Sequence, residues 1–143
     1  TSDVPDNVLN TYATFVNSTE LVTVSATAAT GTINYDTNTQ SVVYYTSAAV
    51  GDWTINFRAS SGATLNSVIA TGEAITLVHL VTLTGSEYRN TVVQVDGSSI
   101  TPEWQGGSAP TEGNINSIDS YAYTIIKTGD AAFTILAALT QFA

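Results

Sequence analysis

His79 is the only imidazole in the chain, and there is no Cys. A catalytic base needs a nucleophile within reach and a carboxylate to orient it. Serines are plentiful and Asp119 is available, but no nucleophile-elbow spacing occurs, because Gly107-Ser108 runs into Ala109-Pro110. His79 stands mid-strand between Leu77 and Val81, so the expectation is a buried or cross-strand hydrogen-bonded side chain. One His without Cys does not make a common zinc site. Asp36-Thr37-Asn38-Thr39-Gln40 spaces oxygen ligands at alternate positions, as calcium accepts, yet the rest of a calcium loop is missing and Asx residues are ordinary in turns. Glu112, Asn114 and Asn116 read the same way. Gly106-Gly107 has neither a helix nor a Lys after it, so it is not a phosphate loop. All five Glu fall at expected turns, termini or strand ends, which suits a solvated surface better than a glycosidase pair. No catalytic residue, metal or cofactor is expected.

The aromatic side chains carry the remaining chemistry, since their faces can stack on sugar rings or on another protein. Trp53 and Phe57 alternate on one strand face and read as core. Trp104 opens a glycine-rich segment with Gly106 and Gly107, and is the aromatic most suited to exposure. Tyr121 and Tyr123 share a strand face with Ile125 and Lys127, which suits a subunit contact. These five residues (Trp104, Gly106, Gly107, Tyr121 and Tyr123) are the candidate contact or glycan-stacking set. Asn17-Ser18-Thr19 matches a glycosylation sequon, a pattern that arises by chance in an Asn- and Thr-rich chain.

The elements that must position them are strands. Thr, Val and Ile make up 48 of 143 residues, and β-branched side chains favour strands. Strand-like runs follow one another from Leu21, separated by turn residues. Trp53, Ile55 and Phe57 alternate with Thr54, Asn56 and Arg58, the pattern of a half-buried antiparallel strand. Leu65 to Ala70 and Ala74 to Thr84 continue the series. Asp96-Gly97 is a two-residue hairpin turn between Tyr88–Val95 and Ser98–Trp104, and Pro102 marks the return as an edge or bulge. Gln105 to Asn116 is a long loop, and Ile118–Lys127 and Ala132–Leu139 form a hairpin about Thr128-Gly129-Asp130. Such a series predicts an all-β fold, an antiparallel β-sandwich or jelly-roll-like domain over residues 21–143. Residues 1–20 lack any period and form an irregular N-terminal arm, with one short helical turn near Asn7 to Tyr12.

Composition narrows the function classes. Three Lys or Arg against twelve Asp or Glu give a net charge of −9. So few cations cannot neutralise a useful number of phosphates, which argues against nucleic acid. No stretch reaches the roughly 18 apolar residues of a membrane span. The 24 Thr and 14 Ser leave a largely uncharged, hydroxyl-bearing surface. Interface centres are depleted of charge, so such a surface suits packing against copies of the same chain. Thr1 is of the small type left when an initiator Met is removed, which fits a nearly complete chain, and a cut fragment would begin in the same way.

The segment Asp96–Thr128 resembles a C-terminal module of virion structural proteins in marine tailed phages, especially those infecting cyanobacteria. The resemblance rests on Trp104-Gln-Gly-Gly107, Ala109-Pro-Thr111, Gly113-Asn114, Ser117-Ile-Asp119, Tyr121 and Thr124-Ile-Ile-Lys-Thr128. Asn56-Phe-Arg58, Thr64-Leu-Asn66 and the closing Gln141-Phe-Ala143 extend it to about Gly51–Ala143. It implies a non-enzymatic structural protein on the virion exterior, a capsid decoration (cement) or fibre-type subunit. Its expected partners are copies of itself, as a homotrimer, and other virion proteins, with contacts through the arm and the 104–116 loop. The alternative is a receptor- or glycan-binding adhesion module of a phage fibre or bacterial surface protein, with Trp104 and a tyrosine as its stacking platform on a host surface glycan.

Overall fold

The computed structural model describes residues 11–143. Within them the chain is all-β: ten strands in two sheets share one apolar core. The strands are β1 (Val22–Ala28), β2 (Gly31–Asp36), β3 (Val42–Ala48), β4 (Trp53–Arg58), β5 (Ala74–Leu83), β6 (Asn90–Val95), β7 (Ser98–Ser99), β8 (Glu103–Trp104), β9 (Ser117–Gly129) and β10 (Ala132–Phe142). One short helix, α1 (Leu65–Val68), lies between β4 and β5. One sheet runs β1-β3-β5-β9-β10-β8 and the other β2-β4-β6-β7. Thr11–Glu20 contains no helix or strand, and every residue in it is exposed. Of the helical turn expected near Asn7 to Tyr12, Asn7–Asn10 lies outside the described residues, and Thr11 and Tyr12 take no such turn.

From β1 to β6 consecutive strands alternate between the two sheets, so the chain coils. β1, β3 and β5 stack in parallel in one sheet, and β2, β4 and β6 in parallel in the other. Antiparallel pairing joins β5 to β9, β9 to β10 and β6 to β7. The expected antiparallel arrangement is therefore corrected for the first half of the chain. The strand Trp53–Phe57, read as antiparallel, has a parallel neighbour on each side. Side-chain alternation along a half-buried strand is the same whichever way its neighbour runs, so the pattern carries no direction.

Register sets each row of side chains. Thr23, Val43, His79, Tyr121 and Leu139 cross the inner face of the six-stranded sheet, and Leu77, Tyr123, Ala137 and Trp104 form the next inner row. Ile33–Ile55–Val93 and Tyr35–Phe57–Val95 face them from the four-stranded sheet. The outer row Val22–Val42–Val78–Ala122–Ala138 and its neighbour Val24–Tyr44–Leu80–Ser120–Thr140 point away from the core. The outer rows of the four-stranded sheet are Thr32–Thr54–Val92, Asn34–Asn56–Gln94 and the Asp36–Arg58 pair.

Two local departures have tertiary causes. Leu65–Ala70, expected as a strand, opens as α1 because both ends of one helical turn are held. The Thr64 hydroxyl accepts from Ser67 N at 3.2 Å, and the Asp96 carboxylate accepts from Leu65 N at 2.7 Å and Asn66 N at 3.0 Å. Lys127 Nζ donates to the carbonyls of Asn66 and Ile69 at 2.6 and 2.9 Å. Such charge-assisted bonds satisfy groups that a helix end leaves open. The return strand Ser98–Trp104 divides: Ser98–Ser99 closes the hairpin on β6, while Glu103–Trp104 crosses to pair with β10. Asp96 and Gly97 supply the two positive φ angles, 51° and 81°, that the hairpin turn requires.

The 105–116 loop is seated at Gly113, whose N–H donates to Glu87 O at 2.8 Å. A methyl group there would overlap the Tyr88 carbonyl oxygen. Gly113→Ala is expected to destabilise the fold by about 3 kcal/mol through forced displacement of that backbone. Gly62→Ala, which meets nothing within 4 Å, should stay within about 0.5 kcal/mol of the parent. Urea denaturation of the two variants measures the difference, and equal losses would show that the loop is not packed at Gly113.

Candidate functional site

The candidate residues converge from three elements. Trp104, on β8, is half-buried and leans edge-on over Tyr121 and Tyr123, with ring centroids 6.5 and 6.4 Å away. The two tyrosine rings lie 6.3 Å apart and nearly parallel, at 10°. Both are fully buried. This corrects their reading as contact or stacking residues: β9 turns their face inward, against β4 and β6, so they support Trp104 from beneath. Gly106 and Gly107 are exposed in a single 3-10 turn with φ of 82° and 84°, a backbone that glycine adopts without strain. Trp104 and Gly107 open onto a cleft of about 590 Å³, with Arg89, Thr101 and Glu103 among its walls.

Asn90, which sequence reasoning missed, ties this assembly together. It is buried, and its side-chain amide donates to Trp53 O at 3.1 Å and Val92 O at 2.9 Å. Its Oδ1 accepts from the Tyr123 hydroxyl at 3.1 Å, and its backbone N–H donates to the Tyr121 hydroxyl at 3.3 Å. The register shift between Trp53–Asn90 and Thr54–Val92 puts Asn90 on the core face with Val93 and Val95. An unbroken alternation would have turned it outward. Burial raises the hydroxyl pKa of both tyrosines, so they remain neutral donors and acceptors.

His79 is also buried in the core, as its strand position suggested, but neither ring nitrogen has a hydrogen-bond partner among the described residues. Tyr45 meets it edge-on at 4.8 Å and Trp53 at 6.0 Å. Asp119 is occupied elsewhere. Its carboxylate accepts from Asn114 N at 3.0 Å, Asn114 Nδ2 at 2.9 Å and Ser117 Oγ at 3.1 Å, closing the loop that enters β9. The imagined Ser–His–Asp trio is thus not assembled around His79. Asp36 pairs with Arg58 at 2.6 Å, and Gln40 donates to Asp36 O while accepting from Thr23 Oγ1, so the alternate oxygens of 36–40 serve a turn. Among the described residues no three His, Cys, Asp or Glu gather as metal ligands, and no helix is long and apolar enough to cross a membrane.

All three cations bind within the chain. Arg58 holds Asp36, Arg89 Nε donates to Thr111 O at 2.8 Å, and Lys127 closes α1. A second groove, of about 540 Å³, has Leu65, Ile69, Ile75 and Leu77 under the turn 37–41 and carries no ionisable side chain. Of the two, the cleft beside Trp104 combines an aromatic edge, a cation, an acid and a hydroxyl.

Burial lowers the pKa of His79 from 6.5 to about 3. The unfolded chain therefore binds a proton below pH 6.5 that the folded chain refuses until about pH 3. The stability due to a neutral His79 is complete above pH 6.5 and declines as the pH falls toward 3, at up to about 1.4 kcal/mol per pH unit. Urea midpoints between pH 7.5 and 5 should fall for the parent and stay nearly level for His79→Leu. Parallel slopes in the two proteins would refute the burial argument.

Comparison with family models, with curated proteins and with solved structures finds no match to this chain.

Proposed function

We propose that the chain is a non-enzymatic structural protein on the exterior of a tailed phage virion, a decoration or fibre-type subunit assembling as a trimer through protein–protein contacts. The observation that carries this reading is the exposed apolar segment before and along β1. Tyr12, Phe15 and Val16 are 95%, 73% and 107% exposed, and Leu21, Val22 and Val24 follow them. Half of the large apolar side chains exposed among the described residues lie in this one stretch. A run of exposed apolar side chains of this kind favours association, and its part before β1, which has no helix or strand, can wrap a neighbour or add to its sheet. The resemblance of Gly51–Ala143 to a virion module supports the same reading, as does the internal use of every cation. The finer architecture in this proposal is a sandwich of two sheets, coiled in its first half.

Light scattering on the purified chain, combined with a density map of intact particles, tests the role. An oligomer located on the particle surface is expected; a strictly monomeric chain absent from particles overturns it. Replacing Tyr12 and Phe15 together with Ser should weaken assembly by about tenfold or more, since burying each ring is worth about 1.5–3 kcal/mol. The melting temperature of the isolated domain should not move. Unchanged assembly would remove the arm from the contact.

A second reading, a glycan-binding adhesion module, is favoured by the half-buried Trp104 at the 590 Å³ cleft with Arg89, Thr101 and Glu103. A glycan array decides it. Binding that disappears in Trp104→Ala supports this role, and no binding, or binding indifferent to that change, removes it.

A further inference from the structure

The outer faces of the two sheets differ in chemistry. The four-stranded sheet presents threonines, amides and the Asp36–Arg58 ion pair, in rows suited to water. The six-stranded sheet presents Val22, Val42, Val78, Ala122 and Ala138 in one unbroken row over five strands. The adjacent rows add Leu80, Ile118, Ile126 and Leu136 among hydroxyl-bearing side chains. Glu103, paired with Leu136 at the short edge strand β8, is the charge on these rows, and it stands at their rim. Val22, Val24, Leu136 and Phe142 remain 47–65% exposed, and Thr11–Glu20 does not cover them.

We infer that this outer face of the six-stranded sheet is the surface on which a second copy of the same chain packs, sheet face against sheet face. The inference rests on the self-assembling role proposed above and gives it a two-fold contact, which pairs copies and is separate from the three-fold contact of a trimer. Two physical arguments select a second copy as the occupant. The first is charge. With a net charge of −9 and all three cations bound internally, contacts between two copies must avoid the acids. The outer face of the four-stranded sheet, which also lacks net charge, offers amides and hydroxyls in place of apolar area. The face of the six-stranded sheet brings valine and alanine against valine and alanine. The second is area. Five strands about 4.8 Å apart, over about 25 Å of strand length, give a face of roughly 500–600 Å² per copy. A pair of such faces buries about 1,000–1,200 Å², which reaches the lower bound of a specific interface. Ala122 and Ala138, the two small residues that follow Val78 in the row, allow the roughly 10 Å approach of stacked sheets.

Ala122→Glu and Ala122→Lys place a charge at the centre of the face while leaving the core side of β9 untouched. Mass by light scattering over a dilution series, with circular dichroism as the control for folding, gives the reading. The parent is expected to be oligomeric, and each variant should associate about 100-fold more weakly or worse, since like charges face each other across the contact. Mixing the Glu and Lys variants should restore assembly. Val78→Glu provides a second position should Ala122→Glu fail to fold. A parent that assembles while folded Ala122→Glu and Val78→Glu assemble equally well overturns this face and leaves the virion role standing. A parent that is monomeric at 100 µM also overturns the face, and its presence or absence on particles then decides the virion role separately. Assembly through the face by a chain absent from particles keeps this inference and removes the role.

Discussion

The interior is organised by one buried amide. Asn90 joins the start of β6 to β4 through Trp53 O and to β9 through the hydroxyls of Tyr121 and Tyr123. A buried amide left without partners would cost about 1–3 kcal/mol or more. Two of the bonds at Asn90 stay within its own sheet, and the two to the tyrosine hydroxyls fix the placement of one sheet on the other. The aromatic side chains then fill the space around that tie. Trp53 meets Tyr121 edge-on at 5.5 Å, Phe57 meets Tyr123 at 5.0 Å, and Trp104 closes over both tyrosines. The position of Trp104 at the cleft is thus set through the two tyrosines that Asn90 holds.

Charge is distributed by the same logic of internal use. Lys127 sits at the end of an apolar row and reaches two carbonyls at α1, while Asp96 holds the other end of that helix from the β6–β7 turn. Asp119 shapes the entry to β9. Side chains that could have done chemistry in the sequence hold loops and helix ends in the fold. What remains outside is acidic or uncharged, and the acids are sparse on the outer rows of both sheets, where Asp36 is paired with Arg58 and Glu103 stands at an edge strand.

Much of this was legible beforehand, and the gaps have physical causes. The Asp96-Gly97 hairpin and the β9–β10 hairpin follow from local turn chemistry, which the chain states outright. The all-β composition and the burial of Trp53, Phe57 and His79 follow from alternation. Alternation could not say which way neighbouring strands run, so the parallel coil was hidden. It also could not say which face of β9 is inside, and Tyr121 and Tyr123 were placed on the wrong side of it. Asn90 was hidden by a register shift that breaks the period at one residue. The helix α1 was hidden because its caps, Asp96 and Lys127, are 30 to 60 residues away along the chain.

The mixed pairing has a consequence for how the chain folds. β9 and β10 are joined by a tight turn, so their contacts close quickly, whereas Val22 must find Val42 and Val42 must find Val78 across long intervening segments. Pairings of large sequence separation are slow because loop closure precedes any reward. β5, with β3 on one side and the hairpin strand β9 on the other, has both neighbours only when that hairpin is in place. On a ribosome the hairpin emerges after β1 to β6, so the edge of β5 that β9 covers is open until then. The first half of this chain completes its fold only after the second half has been made.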